Sequence, residues 1–259
     1  MIIFTSVFIA LLIWITLHNL VIKKHRYAAE QKRLMTIHFI FLTLTAMMTQ
    51  NVYDDGILVT FDIYFNNLMG AYYDPTLYAV MEWISVLTDI KGILVLTVIL
   101  IPIFWYKKWY FEATFYLASF TGGALIAMAV KLAVERFRPP DHPLDVSLLS
   151  YPSGHAALTT VLAIYLYYIF YRSMEVSFAR VMLLLSIVLL IIAGAISRVY
   201  MHAHWLSDTI ASIFLEISWM SFLLFSTGLF LEYLSRGKRR GKLKQLGKFL
   251  TTGSRFGKR

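Results

Sequence analysis

Residues 181–197 read VMLLLSIVLLIIAGAIS, residues 198–208 read RVYMHAHWLSD, and the chain then stays largely apolar to residue 234. A bilayer span needs about 20 mainly apolar residues, so the two flanking runs read as membrane helices. The polar insert between them reads as a short connection at a membrane surface. The same alternation recurs upstream, with apolar runs at roughly 2–22, 34–50, 91–106, 112–134 and 155–171. That makes seven candidate spans. Composition agrees: 59% of the 259 residues are hydrophobic and 15% are charged, too apolar a balance for an ordinary soluble domain. The expected class is an all-α membrane protein.

The net charge of +9 raises the question of a nucleic-acid partner, and the distribution of charge answers it. Lys and Arg gather at 23–33, at 107–108, at Arg172 and Arg180, and from Arg236 to Arg259; these places hold 19 of the 24 basic residues. With seven spans all four fall on one side of the membrane, which the positive-inside rule makes the cytoplasm. The C-terminus is then cytoplasmic, and the polar stretches at 131–139, 151–155 and 197–208 lie outside. A membrane surface accounts for the charge without nucleic acid. The chain has no cysteine, which excludes disulfides and thiolate metal sites.

Residues 1–33 are expected to form an extra N-terminal membrane helix and a basic loop. Met1–Ala10 lacks the basic start of a secretory signal, and no small-x-small cleavage site precedes Lys23. The core is expected over 34–234. The Gly-punctuated basic tail at 235–259 is expected to lie disordered on the anionic inner leaflet. Residues 51–90 combine acids (Asp54, Asp55, Asp62, Asp74, Glu82, Asp89) with many aromatics, which predicts one or two short helices at the outer interface. Thr121-Gly122-Gly123-Ala124 is a small-residue run suited to close helix packing.

Three polar clusters carry the chemistry: KLAVERFRP at Lys131–Pro139, YPSGH at Tyr151–His155 and SRVYMHAHWLSD at Ser197–Asp208. In the first, Lys131 and Arg138 are seven apart, about 10 Å along an ideal helix, and Pro139 and Pro140 stop that helix just beyond Arg138. Both cations can meet one anion, while Arg136 reads as snorkelling toward headgroups. In the second, Ser153 is positioned as a helix N-cap, and the same N-terminus is a natural anion site. Gly154 admits a close approach of the backbone, and His155 on the first turn can reach a leaving oxygen. In the third, Arg198 adds positive charge. His204 and Asp208, four apart, share a face if helical. The carboxylate can then fix the imidazole tautomer and leave the other nitrogen free to attack phosphorus. His202 lies outside this spacing and reads as a histidine of the surface or of the outer surroundings of the site. Cations beside the site, and the lack of any His-Glu-x-x-His helix, argue for phosphate chemistry without a metal or other cofactor.

The spacings K-x6-R-P, P-S-G-H and S-R-x5-H-x3-D resemble those of the type 2 phosphatidic acid phosphatase family over roughly residues 34–234, with no position substituted. The resemblance implies a six-helix transmembrane bundle, here with one extra N-terminal helix. It implies His204 as the nucleophile that forms a phosphohistidine, Asp208 as its partner and His155 as the acid for the leaving group. Lys131, Arg138, Ser153, Gly154 and Arg198 would cradle the phosphate. Family members hydrolyse phosphatidic acid, phosphatidylglycerol phosphate, diacylglycerol pyrophosphate or undecaprenyl pyrophosphate. An outward site on a compact bacterial-looking chain favours the last, in a bacterial cell membrane. The partners implied are a lipid phosphate substrate and membrane lipids. A phosphotransferase using the same intermediate and a non-enzymatic lipid transporter are the competing readings. Soluble vanadate-binding haloperoxidases share the motifs, but not seven apolar spans.

Overall fold

The computed structural model describes residues 28–87, 89–140, 142, 149–174 and 177–236. The expected first span and the basic tail beyond Arg236 lie outside the described residues. Eight helices follow in order: α1 (Ala28–Tyr53), α2 (Ile57–Ala71), α3 (Pro75–Leu87), α4 (Ile90–Tyr106), α5 (Tyr110–Val134), α6 (Gly154–Ser173), α7 (Ser177–Tyr200) and α8 (Leu206–Arg236). No strand occurs among the described residues, only an isolated bridge between Phe137 and Leu149. The chain is an all-α membrane bundle.

Among the described residues, five segments are long and apolar enough to cross a membrane: Pro75–Tyr106, Tyr110–Val134, Gly154–Tyr171, Ser177–Tyr200 and Leu206–Leu231. The last four lie within a few residues of the expected spans. The first joins α3 to α4 and so extends the expected 91–106 upstream. The expected span 34–50 lies inside α1, whose first turns carry Glu30, Gln31, Lys32 and Arg33 and lower its mean hydropathy. α1 packs along α8, while α6 is held by α5, α7 and α8. The stretch 51–90 supplies two short helices: α2 rests on α7 and α8, and α3 on α7.

The bundle is apolar outward and mixed inward, as a lipid-solvated protein must be once its backbone is paired within helices. Leu94, Val95, Val98, Leu125, Leu185 and Leu189 are exposed, whereas Ser119, Thr159, Thr160, Ser212 and Glu216 are buried. The inward hydroxyls need no partner across the bundle, because they return to carbonyls one turn back. Thr159 donates to His155 O at 2.7 Å, Thr160 to Ala156 O at 2.7 Å and Ser212 to Asp208 O at 2.6 Å. Away from the polar clusters, Ile93, Phe104, Phe115, Tyr116, Tyr165 and Met220 form an aromatic-rich core among α4, α5, α6 and α8.

The small-residue run on α5 has a specific neighbour. A Cβ on Gly122 would lie 2.1 Å from Trp219 Cζ2, and one on Gly123 would lie 2.5 Å from Glu216 Oε2. Trp219 Nε1 also donates to Ser119 O at 3.0 Å, so its ring is held in place against α5. Overpacking a close contact typically costs about 1–3 kcal/mol. Gly122→Ala is therefore expected to lower the thermal midpoint of the detergent-solubilised protein. An unchanged midpoint would show that Trp219 rotates away freely.

Candidate active site

The first cluster departs from the proline-based expectation. α5 stops at Val134, ahead of Arg138, because Glu135 takes a left-handed conformation (φ 52°) and its N–H returns to Lys131 O at 3.1 Å. The chain then doubles back. Ser150 N donates to Arg136 O at 2.7 Å, and Lys131 Nζ donates to Leu149 O at 3.2 Å and Ser150 O at 3.1 Å. Lys131 thus leaves the end of α5 and meets the strand-like segment that leads into the second cluster.

That segment turns at buried Tyr151, whose hydroxyl pairs with Thr49 at 2.8 Å and is pushed up to about 12 by burial, so it stays neutral. Ser153 caps α6 by accepting from Ala156 N at 3.4 Å. Its own N–H donates to Asp208 O at 3.2 Å, which joins the second cluster to the third. A Cβ added at Gly154 would meet nothing within 4 Å, so the backbone at the N-terminus of α6 borders open space. His155 Nε2 lies 3.1 Å from Asp89 Oδ1, contributed by the residue that precedes α4.

The third cluster is a turn, not a helix. The N–H groups of Ala203 and His204 both return to Arg198 O, at 3.0 and 3.2 Å, and α8 begins only at Leu206. His204 and Asp208 still meet, with Nδ1 3.4 Å from Asp208 Oδ2, though the pair is not aligned as a hydrogen bond. Nε2 faces Arg138 Nη1 at 3.1 Å, and the same guanidinium donates to Ala203 O. Because Arg138 can only donate, Nε2 is the unprotonated nitrogen and the proton sits on Nδ1, toward Asp208. Burial pulls His204 down to about 3, and the Asp208 carboxylate offsets this only in part. Burial also lowers Arg138, with Asp208 acting in the opposite direction. The result is a neutral imidazole whose lone pair points at a cation.

Arg198 is 4% exposed; Nη1 donates to Ser85 on α3 at 2.5 Å, and Nε has no hydrogen-bond partner among the described residues. His202 Nδ1 pairs with Asn66 Oδ1 at 2.8 Å and so turns toward α2.

Arg136 is not a snorkelling residue. It donates to Ser207 Oγ at 2.8 Å and Asp208 Oδ1 at 2.8 Å through Nη1, and to Asp62 Oδ2 at 2.7 Å through Nη2. Its guanidinium also lies 5.3 Å from the Trp205 ring centroid. Ser85, Asp89, Asp62 and Arg136 are polar neighbours that motif spacing did not reveal. The available signal was a lone acid in an apolar run: Asp62 stands within ILVTFDIYF. Among the described residues, no group of three or more His, Asp or Glu side chains is arranged to hold a metal ion.

One end of the membrane bundle thus gathers a buried neutral imidazole, a carboxylate behind it and several cations. Residues 112–230 match the family model of the PAP2 superfamily. A solved structure described as the first transmembrane PAP2 type phosphatidylglycerolphosphate phosphatase from Bacillus subtilis is similar. It has 24% identity and a TM-score of 0.61, covering 80% of this chain and 98% of that one. At that identity the likeness speaks for the fold. No curated protein matches.

Proposed function

We propose that the chain is a membrane lipid phosphatase that works through a phosphohistidine. The observation that carries this reading is the His204 imidazole, with its unprotonated Nε2 3.1 Å from Arg138 and its Nδ1 backed by Asp208. A phosphoryl group held by Arg138, Arg198 and Lys131, and by the Ser153 hydroxyl and the Gly154 N–H at the start of α6, would present phosphorus to Nε2. The N–P bond forms as the bond to the leaving oxygen breaks, and His155 gives that oxygen a proton. Water then attacks phosphorus, the N–P bond breaks, and His155 takes the proton back. The cations neutralise the five-coordinate transition state, the electrostatic contribution that usually dominates phosphoryl transfer. Asp208 stabilises the positive ring that forms when Nε2 becomes phosphorylated.

In this reading residues 34–234 form the phosphatase core, with 1–33 and 235–259 as additions. The site faces outward and the C-terminus is cytoplasmic, which the charge distribution supports. Undecaprenyl pyrophosphate, converted to undecaprenyl phosphate, is the proposed substrate. Phosphatidylglycerolphosphate is the second reading, favoured by the description of the similar solved structure.

Phosphate release by purified protein from a panel of lipid phosphates, in EDTA, tests both levels. Release should survive chelation and be inhibited by vanadate, because a trigonal-bipyramidal adduct on His204 resembles the transition state. Activity that collapses in EDTA and returns with magnesium or zinc would sink the metal-free mechanism. Product formed only when an alcohol acceptor is added would mean a phosphotransferase, and no turnover on any lipid would leave a transporter.

A further inference from the structure

The start of α8 lacks the usual acceptor for its first N–H groups. Trp205 precedes the first helical residue, Leu206, and its side chain has no oxygen to offer. Two carboxylates fill that role. Asp208 Oδ2 reaches back to Trp205 N at 3.0 Å, as an acid at the third helical position does in a capping box. Asp62, from α2, accepts from Ser207 N at 2.8 Å through Oδ1 and from Ser207 Oγ at 2.6 Å through Oδ2. Arg136 closes the ring with one arm on Asp208 Oδ1 and the other on Asp62 Oδ2. The side chains of Arg136, Asp62 and Asp208 are 11%, 1% and 0% exposed.

Two consequences follow for Asp208. First, Arg136 occupies Oδ1, so Oδ2 is left to face His204 Nδ1, and the carboxylate cannot rotate without breaking a charge-assisted bond. Second, the cluster holds two carboxylates against one guanidinium. An Arg136–Asp208 pair alone would be neutral and would present a weak field to the imidazole. Asp62 leaves the cluster with a net negative charge, in a desolvated place where charge acts strongly.

We propose that Asp62 and Arg136 are positioning residues for turnover, setting the orientation and the effective charge of Asp208 behind His204. This rests on the phosphatase reading above. It assigns to α2 a part in the chemistry that none of the three motifs carries.

The test is a double-mutant cycle on the detergent-purified full chain, using phosphate release from the lipid phosphate that the wild type hydrolyses best. Asp62→Asn should lower kcat about ten- to hundredfold with KM nearly unchanged, the range typical of removing an outer partner that orients a functional imidazole. In the Asp208→Asn background the same change should cost little further, because residues acting as a unit are not additive. Arg136→Lys keeps the charge but loses the two-armed fork. It should also lower kcat and be silent over Asp208→Asn, which keeps the cycle open if Asp62→Asn fails to fold.

Losses that multiply across the two backgrounds would overturn the inference. So would an unchanged kcat per folded molecule accompanied only by a lower melting temperature, since that marks a helix cap and nothing more. An inactive wild type overturns the phosphatase reading and this inference with it, whereas additive losses in an active enzyme overturn this inference alone.

Discussion

His204→Ala is expected to lower kcat by about three orders of magnitude or more, the scale at which removing a covalent nucleophile is felt. The imidazole is 2% exposed, so it contributes some packing as well as chemistry. The variant removes a neutral ring and leaves Arg138 its bond to Ala203 O, which limits the loss of stability. A modest fall in thermal midpoint with near-complete loss of turnover is the expected pair of results. Quenched wild-type enzyme should carry acid-labile phosphate that the variant lacks. If the variant retains more than about a tenth of wild-type activity, well outside the range for such residues, His204 is not the nucleophile.

The membrane spans were legible because lipid demands the same thing of every helix: an apolar exterior long enough to cross. Hydropathy therefore located α5 to α8 within a few residues of their ends. The first polar cluster differs in shape from the expectation. Two prolines suggested a stop after Arg138, whereas the helix ends at Val134 through a left-handed Glu135, where no glycine marks the turn. His204 and Asp208 were paired on the assumption of a shared helical turn. They meet from a non-helical turn and a helix start, because the two N–H bonds to Arg198 O curl the chain back.

Harder to read were the residues that surround the motifs from a distance. Asp62 and Asp208 are far apart in sequence, and nothing in a spacing rule links them. Asp62, Asp89 and Ser85 lie in a stretch whose acids and aromatics fit an interfacial belt equally well, so composition could not say which of them turned inward. Arg136 sits two residues from Arg138, at a position that suits a headgroup contact equally well. A buried partner on another helix decides its role, and only packing shows that partner.

Arg198→Met is expected to lower turnover steeply and at the same time raise the thermal midpoint of the ligand-free protein. Arg198 is 4% exposed, donates through Nη1 to the neutral hydroxyl of Ser85, and leaves Nε without a partner among the described residues. Asp89, the acid whose charge bears on it, is itself engaged by His155. A cation held out of water with so little direct compensation is costly, and replacing a buried charge by an apolar side chain of similar length is often neutral or stabilising. A site that binds phosphate accepts that cost because the ligand supplies the missing anion. Loss of the guanidinium should then reduce kcat/KM by about a hundredfold or more, the range for removing one donor to a developing oxyanion. Added vanadate should raise the midpoint of the wild type, since a ligand that binds only the folded state stabilises it. It should leave the methionine variant unmoved. A variant that melts earlier yet turns over normally would show Arg198 to be a strut between α7 and α3, and would remove it from the phosphate cradle.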